Sequence, residues 1–237
     1  MKKLFLSGLF ATGVIVSGSS AETLQDDASL TSPETVVELF TSQGCSSCPP
    51  ANRFAASLLD DPSKLVLTYG VTYWDYLGWK DTFADPKFTD RQRKYGKALK
   101  ISNVYTPQLV LNGTQHSARY KSSDVDRIIL KSDRPDVNLT QKGENLVLEL
   151  DPDMDVNDYR VVIVSYKPGD HEVDVARGEN RGRTLKLANV VTDIQPLKLT
   201  EGLDTKTQIT PQKEYNYAAL VHDADTAKIV AASVYTP

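Results

Sequence analysis

The chain has 237 residues, 40% hydrophobic and 24% charged, with 13 Gly, 12 Pro and a formal net charge of −4. These proportions belong to a globular protein and exclude a collagen-like, low-complexity or charge-dominated disordered chain. The acidic balance argues against nucleic-acid or anionic-membrane partners, which demand clustered Lys and Arg, and at roughly 150 residues per domain the length allows one large domain or two small ones.

The predicted elements begin with a leader. Lys2 and Lys3 give a positive start, Leu4–Val16 an apolar stretch and Ser19-Ser20-Ala21 a small-residue cleavage site, the pattern of a signal peptide over residues 1–21. The apolar stretch is shorter than the ~18 to 20 residues that span a bilayer. No membrane span is therefore expected after cleavage, and the mature protein is expected to be periplasmic or secreted.

Thr35–Phe40 is β-branched and apolar at the length of a buried strand. Thr41-Ser42-Gln43-Gly44 then turns the chain into Cys45-Ser46-Ser47-Cys48-Pro49-Pro50. Ala51–Leu59 reads as a helix, since consecutive prolines are tolerated only in a helix's first turn. The only two Cys of the chain thus have C-x-x-C spacing at a helix start, and in an exported protein they are expected to be bonded to each other. In the loop-entropy model so short a bridge adds about 2 kcal/mol, against about 4.7 for a hundred-residue loop, which favours redox chemistry over a structural role. A zinc site needs two further ligands, and His116, His171 and His222 stand in no paired spacing. Helix-terminal N–H groups favour a thiolate and draw a Cys pKa from about 8.5 toward roughly 3.5–7.5. Cys45 is the expected exposed nucleophile and Cys48, one turn in, the shielded resolving thiol.

Leu65–Val71 is a predicted central strand, and Thr72–Phe83 a predicted loop that holds both tryptophans. Tyr73, Trp74 and Trp79 could rim a site that grips an extended polypeptide, or plug the core beneath the loop. Asp75 is either a buried acid relaying a proton to the resolving thiol or an ordinary capping residue. Phe88–Leu99 is a predicted helix, Val104–Gly113 a loop, strand and Asn-Gly hairpin turn with Thr106 and Pro107 at the strand's opening, and Asp124–Lys131 a last helix.

The order strand, C-x-x-C, helix, strand, helix, Thr-Pro-strand, hairpin resembles the thioredoxin fold. More narrowly, Glu38–Ala51, Tyr73–Asp81, Arg91-Gln92 and Tyr105-Thr106-Pro107-Gln108 are similar to a bacterial family of secreted thioredoxin-like proteins catalogued as a domain of unknown function. The resemblance implies a thioredoxin-like α/β domain with Pro107 cis and facing Cys45. It carries no reaction or substrate with it. This chain departs from the family at Gly70 and Thr72, where His and Asp usually precede the Tyr-Trp-Asp block, and so loses support for a metal-assisted role.

From about Asn138 the texture becomes β-rich: Asn145–Leu150, Tyr159–Tyr166, Thr184–Val191, Tyr215–His222 and Lys228–Tyr235 alternate with turns such as Lys167-Pro168-Gly169-Asp170. This predicts an all-β, sandwich-like domain over residues 136–237, following a thioredoxin-like domain over residues 22–135. Gly178–Arg183 is a polar, Gly-rich loop without phosphate-loop spacing. The function expected is thiol–disulfide exchange through Cys45 and Cys48, with Pro107 completing the site and Thr106 joining the aromatic residues in substrate binding. No dissociable cofactor or metal is called for. The expected partners are protein thiols and disulfides and an unidentified redox partner. Two readings from other classes stay open: a copper-handling protein using both thiolates, and a non-enzymatic envelope binding protein whose disulfide is structural.

Overall fold

The computed structural model describes residues 29–200, 202 and 204–237; the leader over residues 1–21 lies outside them. Ser29–Thr31 forms a short edge strand, β1, and Thr35–Thr41 forms β2, all seven of whose residues are buried. Such a continuous apolar run belongs to a strand covered on both faces. α1 (Pro49–Ala56) starts on the two prolines with Cys48 as its N-cap residue, and β3 (Lys64–Gly70) returns parallel to β2. Thr72–Leu77, expected as loop, winds into a 3-10 helix closed by Gly78 in the left-handed region.

α2 (Pro86–Ala98) is started by Asp85, whose carboxylate accepts from the Lys87 N–H at 2.7 Å, with Pro86 in the first turn. β4 (Gln108–Leu111) and β5 (Gln115–Ser117) form the hairpin turned by Asn112 and Gly113, both at positive φ. The expected helix over Asp124–Lys131 is instead the four-residue α3 (Ser122–Val125). The chain leaves it because Leu130 N–H bonds to the Glu34 carbonyl, tying this stretch to the start of β2.

In the second half β6 (Val137–Lys142), β7 (Asn145–Leu150) and the short β10 (Asp204–Lys206) make a three-stranded sheet, while β8 (Tyr159–Asp174), β9 (Thr184–Leu197), β11 (Asn216–Asp223) and β12 (Ile229–Thr236) join the larger one. The latter has nine strands in the order β1-β12-β11-β8-β9-β3-β2-β4-β5. It crosses the expected boundary between residues 135 and 136, because β3 meets β9 in parallel at Thr68 and Val190. The Asn189 amide secures the junction by donating to the Val66 carbonyl at 2.9 Å. Lys167–Asp170, expected as a turn, is a bulge within β8, where Pro168 has no N–H for the ladder and Gly169 N–H turns to Asn189 Oδ1. The β8–β9 hairpin therefore runs on past the sheet as a long arm.

The result is a mixed α/β molecule with one large sheet and few helices. α2 covers one face through Phe40, Tyr69, Phe88 and Tyr95, α1 covers the other through Val37, Leu39, Ala55 and Leu109, and the three-stranded sheet packs on Ile163, Ala219 and Val221. Beneath α2 lies a buried ion pair. Arg91 Nε donates to Glu38 Oε1 at 2.6 Å, and the Tyr95 hydroxyl donates to the other Glu38 oxygen. Burial pushes the Glu38 carboxyl up, but Arg91 and Tyr95 outweigh it and hold the group below its ordinary range. Among the described residues no helix is long and apolar enough to cross a membrane.

Candidate active site

Cys45 and Cys48 are joined as a disulfide with their Cα atoms 5.5 Å apart, in the turn between β2 and α1. The turn is held by backbone bonds from Cys45 N–H to Ser42 O and from Cys48 N–H to Cys45 O. The Thr106–Pro107 peptide is cis, Pro107 is buried, and the stretch before β4 comes over the disulfide.

A side-chain hydroxyl, and not the expected helix amides, polarises the Cys45 sulfur. Pro49 and Pro50 have no N–H to give, and the next two amides, Ala51 and Asn52, bond to the Cys48 carbonyl. In their place the Thr106 hydroxyl donates to Cys45 Sγ at 3.3 Å, while the Ser47 hydroxyl, 3.3 Å from the same sulfur, donates to the Thr106 carbonyl at 3.4 Å. Trp74 orients the first of these. Its indole N–H donates to Thr106 Oγ1 at 2.6 Å, so the Thr106 hydrogen is free to point at the sulfur, and the two bonds polarise each other along the chain.

The Cys45 sulfur is also closed off from solvent. Cys45 was expected to be exposed, yet only 1% of it reaches solvent, against 0% for Cys48, although Ser46 and Ser47 between them are exposed. The tip of the β8–β9 arm lies over it. Asn180, itself fully buried, donates from Nδ2 to the carbonyls of Gln43 (2.9 Å) and Cys45 (2.8 Å) and accepts from Arg183 Nη1 at 3.0 Å. Beside it Glu179 Oε2 accepts from Ser46 N–H at 3.2 Å. Gly178 presses on the aromatic turn so closely that a Cβ there would meet Leu77 O and Trp79 Cβ at 3.3 Å.

The other residues anticipated from sequence divide into two groups. Thr106 reaches the disulfide, Trp74 acts on it through Thr106, and Tyr73 packs beside Trp74 with ring centroids 6.1 Å apart. Burial pushes the Tyr73 hydroxyl up from its ordinary value, and Gln92 and Thr106 beside it offset only part of that rise. Trp79 and Asp75 serve the surrounding frame. Trp79 Nε1 donates to Gln43 Oε1 at 2.8 Å, and Asp75 accepts the Asp81 N–H at 3.2 Å, with no bond to either sulfur. Asp81, passed over in the sequence, accepts N–H bonds from Gln43 and Phe83, and burial raises its carboxyl above the ordinary range despite them. Asn180 and Glu179 left no local signal, since they meet the C-x-x-C turn from more than 130 residues away. Gly70 and Thr72 have packing roles. A Cβ on Gly70 would lie 2.9 Å from the backbone of Phe83 and Ala84, and Thr72 bonds to Thr89 Oγ1. Among the described residues no three His, Cys, Asp or Glu side chains group as metal ligands do.

Sheet, turn and disulfide together define a mixed α/β protein with a C-x-x-C disulfide leading into a helix. The chain belongs to the family described as "Protein of unknown function (DUF1223)", whose model matches residues 36–231. A crystal structure of an Agrobacterium tumefaciens protein is similar to it at 30% identity, with a TM-score of 0.69 and 87% of this chain and 95% of that one covered. HBP35 of Porphyromonas gingivalis is similar in fold alone, at 14% identity and a TM-score of 0.55 over 85% of this chain and 74% of that one. No curated protein matches the chain.

Proposed function

We propose that this is an exported thiol–disulfide oxidoreductase on a thioredoxin-like scaffold, with Cys45 exchanging with substrate and Cys48 resolving. The observation that carries the reading is the Thr106 hydroxyl, set beside Pro107 by the Trp74 indole and donating to Cys45 Sγ. A donor in that position stabilises negative charge on the sulfur, whether it attacks as thiolate or departs as leaving group.

In the disulfide form a substrate thiolate attacks Cys45 Sγ, the Cys45–Cys48 bond breaks and Cys48 leaves as thiolate. A second substrate thiolate then attacks the substrate sulfur of the mixed disulfide and releases Cys45 as thiolate, so two electrons pass from substrate to protein. The reverse sequence reduces a substrate disulfide, with Cys48 closing on the Cys45 sulfur to expel the product thiolate. Protein thiols and disulfides are the proposed substrates, and a separate redox partner resets the pair. Tyr76, 77% exposed and stacked on Trp74 at 6.5 Å, extends the proposed gripping surface of Tyr73 and Trp74. Either direction requires the arm tip to lift from Cys45.

Catalysis of protein disulfide reduction by dithiothreitol tests the proposal: the wild-type chain accelerates it and Cys45→Ser does not, whereas equal rates contradict it. The 1% exposure of Cys45 favours a second reading, a structural disulfide locking the turn of a binding protein. That reading predicts loss of stability on Cys45→Ser and no exchange activity in the wild type.

A further inference from the structure

A cleft of about 610 Å3 lies beside α2, on the face of the sheet where β8, β9 and β11 run beyond the helix. It takes no part in the disulfide chemistry, and its size falls among small-molecule sites. Strand register builds its floor. Val162 pairs with Leu220 on one side and Pro196 on the other, and Ile194 pairs with Val164. Val162 and Ile194 are half-buried continuations of the core that α2 covers elsewhere.

The walls are cationic. Lys87, Arg91, Lys94 and Ala98 form one stripe of α2 along the cleft, at helical spacing. Arg160 stands opposite, as the cross-strand partner of His222. Arg91, on the cleft wall, spends Nε and Nη2 on Glu38, Tyr95 and His222, which leaves Nη1 without a partner among the described residues. Lys87 is paired with Asp193 at 2.7 Å, but among the described residues Lys94, Lys97 and Arg160 have no ion pair. Among the described residues Asp225 is the only acid lining the cleft. Burial and the neighbouring Arg91 push His222 down to about 4, so at neutral pH it accepts from Arg91 and adds no charge.

An apolar floor under a cluster of cations, of which Lys94, Lys97 and Arg160 have no ion pair among the described residues, is complementary to one chemistry. We propose that the cleft binds an amphiphilic organic anion, its apolar body on Val162, Ile194 and Pro196 and its acidic headgroup against Arg91, Lys94 and Arg160. The apolar body excludes water from around the headgroup, which strengthens its attraction to the cations.

Titration of the full chain with dansylaminoundecanoate, read by dansyl fluorescence, tests this. The probe binds saturably at one site per chain, and dodecanoate displaces it. Dodecanol, with the same apolar body and no charge, and inorganic phosphate, with charge and no apolar body, each compete at least about tenfold more weakly. The exposed double variant Lys94→Glu/Arg160→Glu keeps the wild-type Tm and binds the probe about tenfold less tightly. Equal competition by dodecanol or by phosphate, or unchanged affinity in the double variant, overturns the proposal.

Discussion

Replacing Thr106 by Val keeps the shape of the side chain and removes the donor that lies 3.3 Å from Cys45 Sγ. A hydrogen bond to a charged acceptor is worth about 1.5–3 kcal/mol, and one pKa unit corresponds to about 1.36 kcal/mol. Sulfur is a weak acceptor, so the lower figure applies and Thr106→Val raises the Cys45 pKa of the reduced protein by about one unit. The change is read from thiolate absorbance, or from the pH dependence of alkylation, in a Cys48→Ser background where Cys45 titrates alone. Thr106→Ser restores the hydroxyl and brings the pKa back most of the way. Trp74→Phe leaves Thr106 in place but removes the indole N–H that orients it, and raises the pKa by less. A Cys45 pKa unchanged in Thr106→Val, or equal in the Val and Ser variants, refutes the assignment of Thr106 as the donor.

Three further outcomes follow from the same geometry. Asn180→Ala removes both bonds from the arm tip to the C-x-x-C turn, each worth about 0.5–1.5 kcal/mol, so reduction of the disulfide by a small phosphine speeds up by about tenfold; an unchanged rate shows that the tip does not guard Cys45. Glu38→Gln leaves the buried Arg91 guanidinium without its counter-charge and lowers the unfolding free energy by about 3 kcal/mol in urea titration, a loss far larger than an exposed pair would give. His222 is held down to about 4 against an ordinary 6.5, so the unfolded chain takes up its proton first as pH falls. Its contribution of about 3 kcal/mol is complete above pH ~6.5 and disappears between about 6.5 and 4, and His222→Gln flattens that part of the stability profile.

Local chemistry made part of this molecule legible in its sequence. The all-apolar run of β2, the prolines that open α1 and the Asn-Gly turn between β4 and β5 each act within a few residues, and each appears where the pattern placed it. Boundaries set by distant partners were not legible. The stretch after α3 is drawn off the helical path by Glu34, nearly a hundred residues earlier, and the turn expected at Lys167–Asp170 is a bulge because Asn189 across the hairpin takes up Gly169 N–H. The single parallel meeting of Thr68 and Val190, which carries the sheet across the chain's midpoint, has no periodicity to reveal it.

The site divides in the same way. The C-x-x-C spacing, Thr106 and Trp74 could be found from motifs, but the source of polarity on Cys45 could not. The prolines that mark the helix start also remove the amides that were expected to serve the sulfur, and a hydroxyl on another loop takes their place. The burial of Cys45 by Asn180 depends on a hairpin arm whose length is apparent only once the bulge in β8 is seen.

The proposed exchange chemistry is tested most directly by reacting reduced Cys48→Ser with a peptide disulfide and mapping the product by mass spectrometry. A stable mixed disulfide forms on Cys45, and it forms faster when Asn180→Ala is added. A Cys45 that stays unmodified in both proteins, while denatured chain reacts fully, would contradict it.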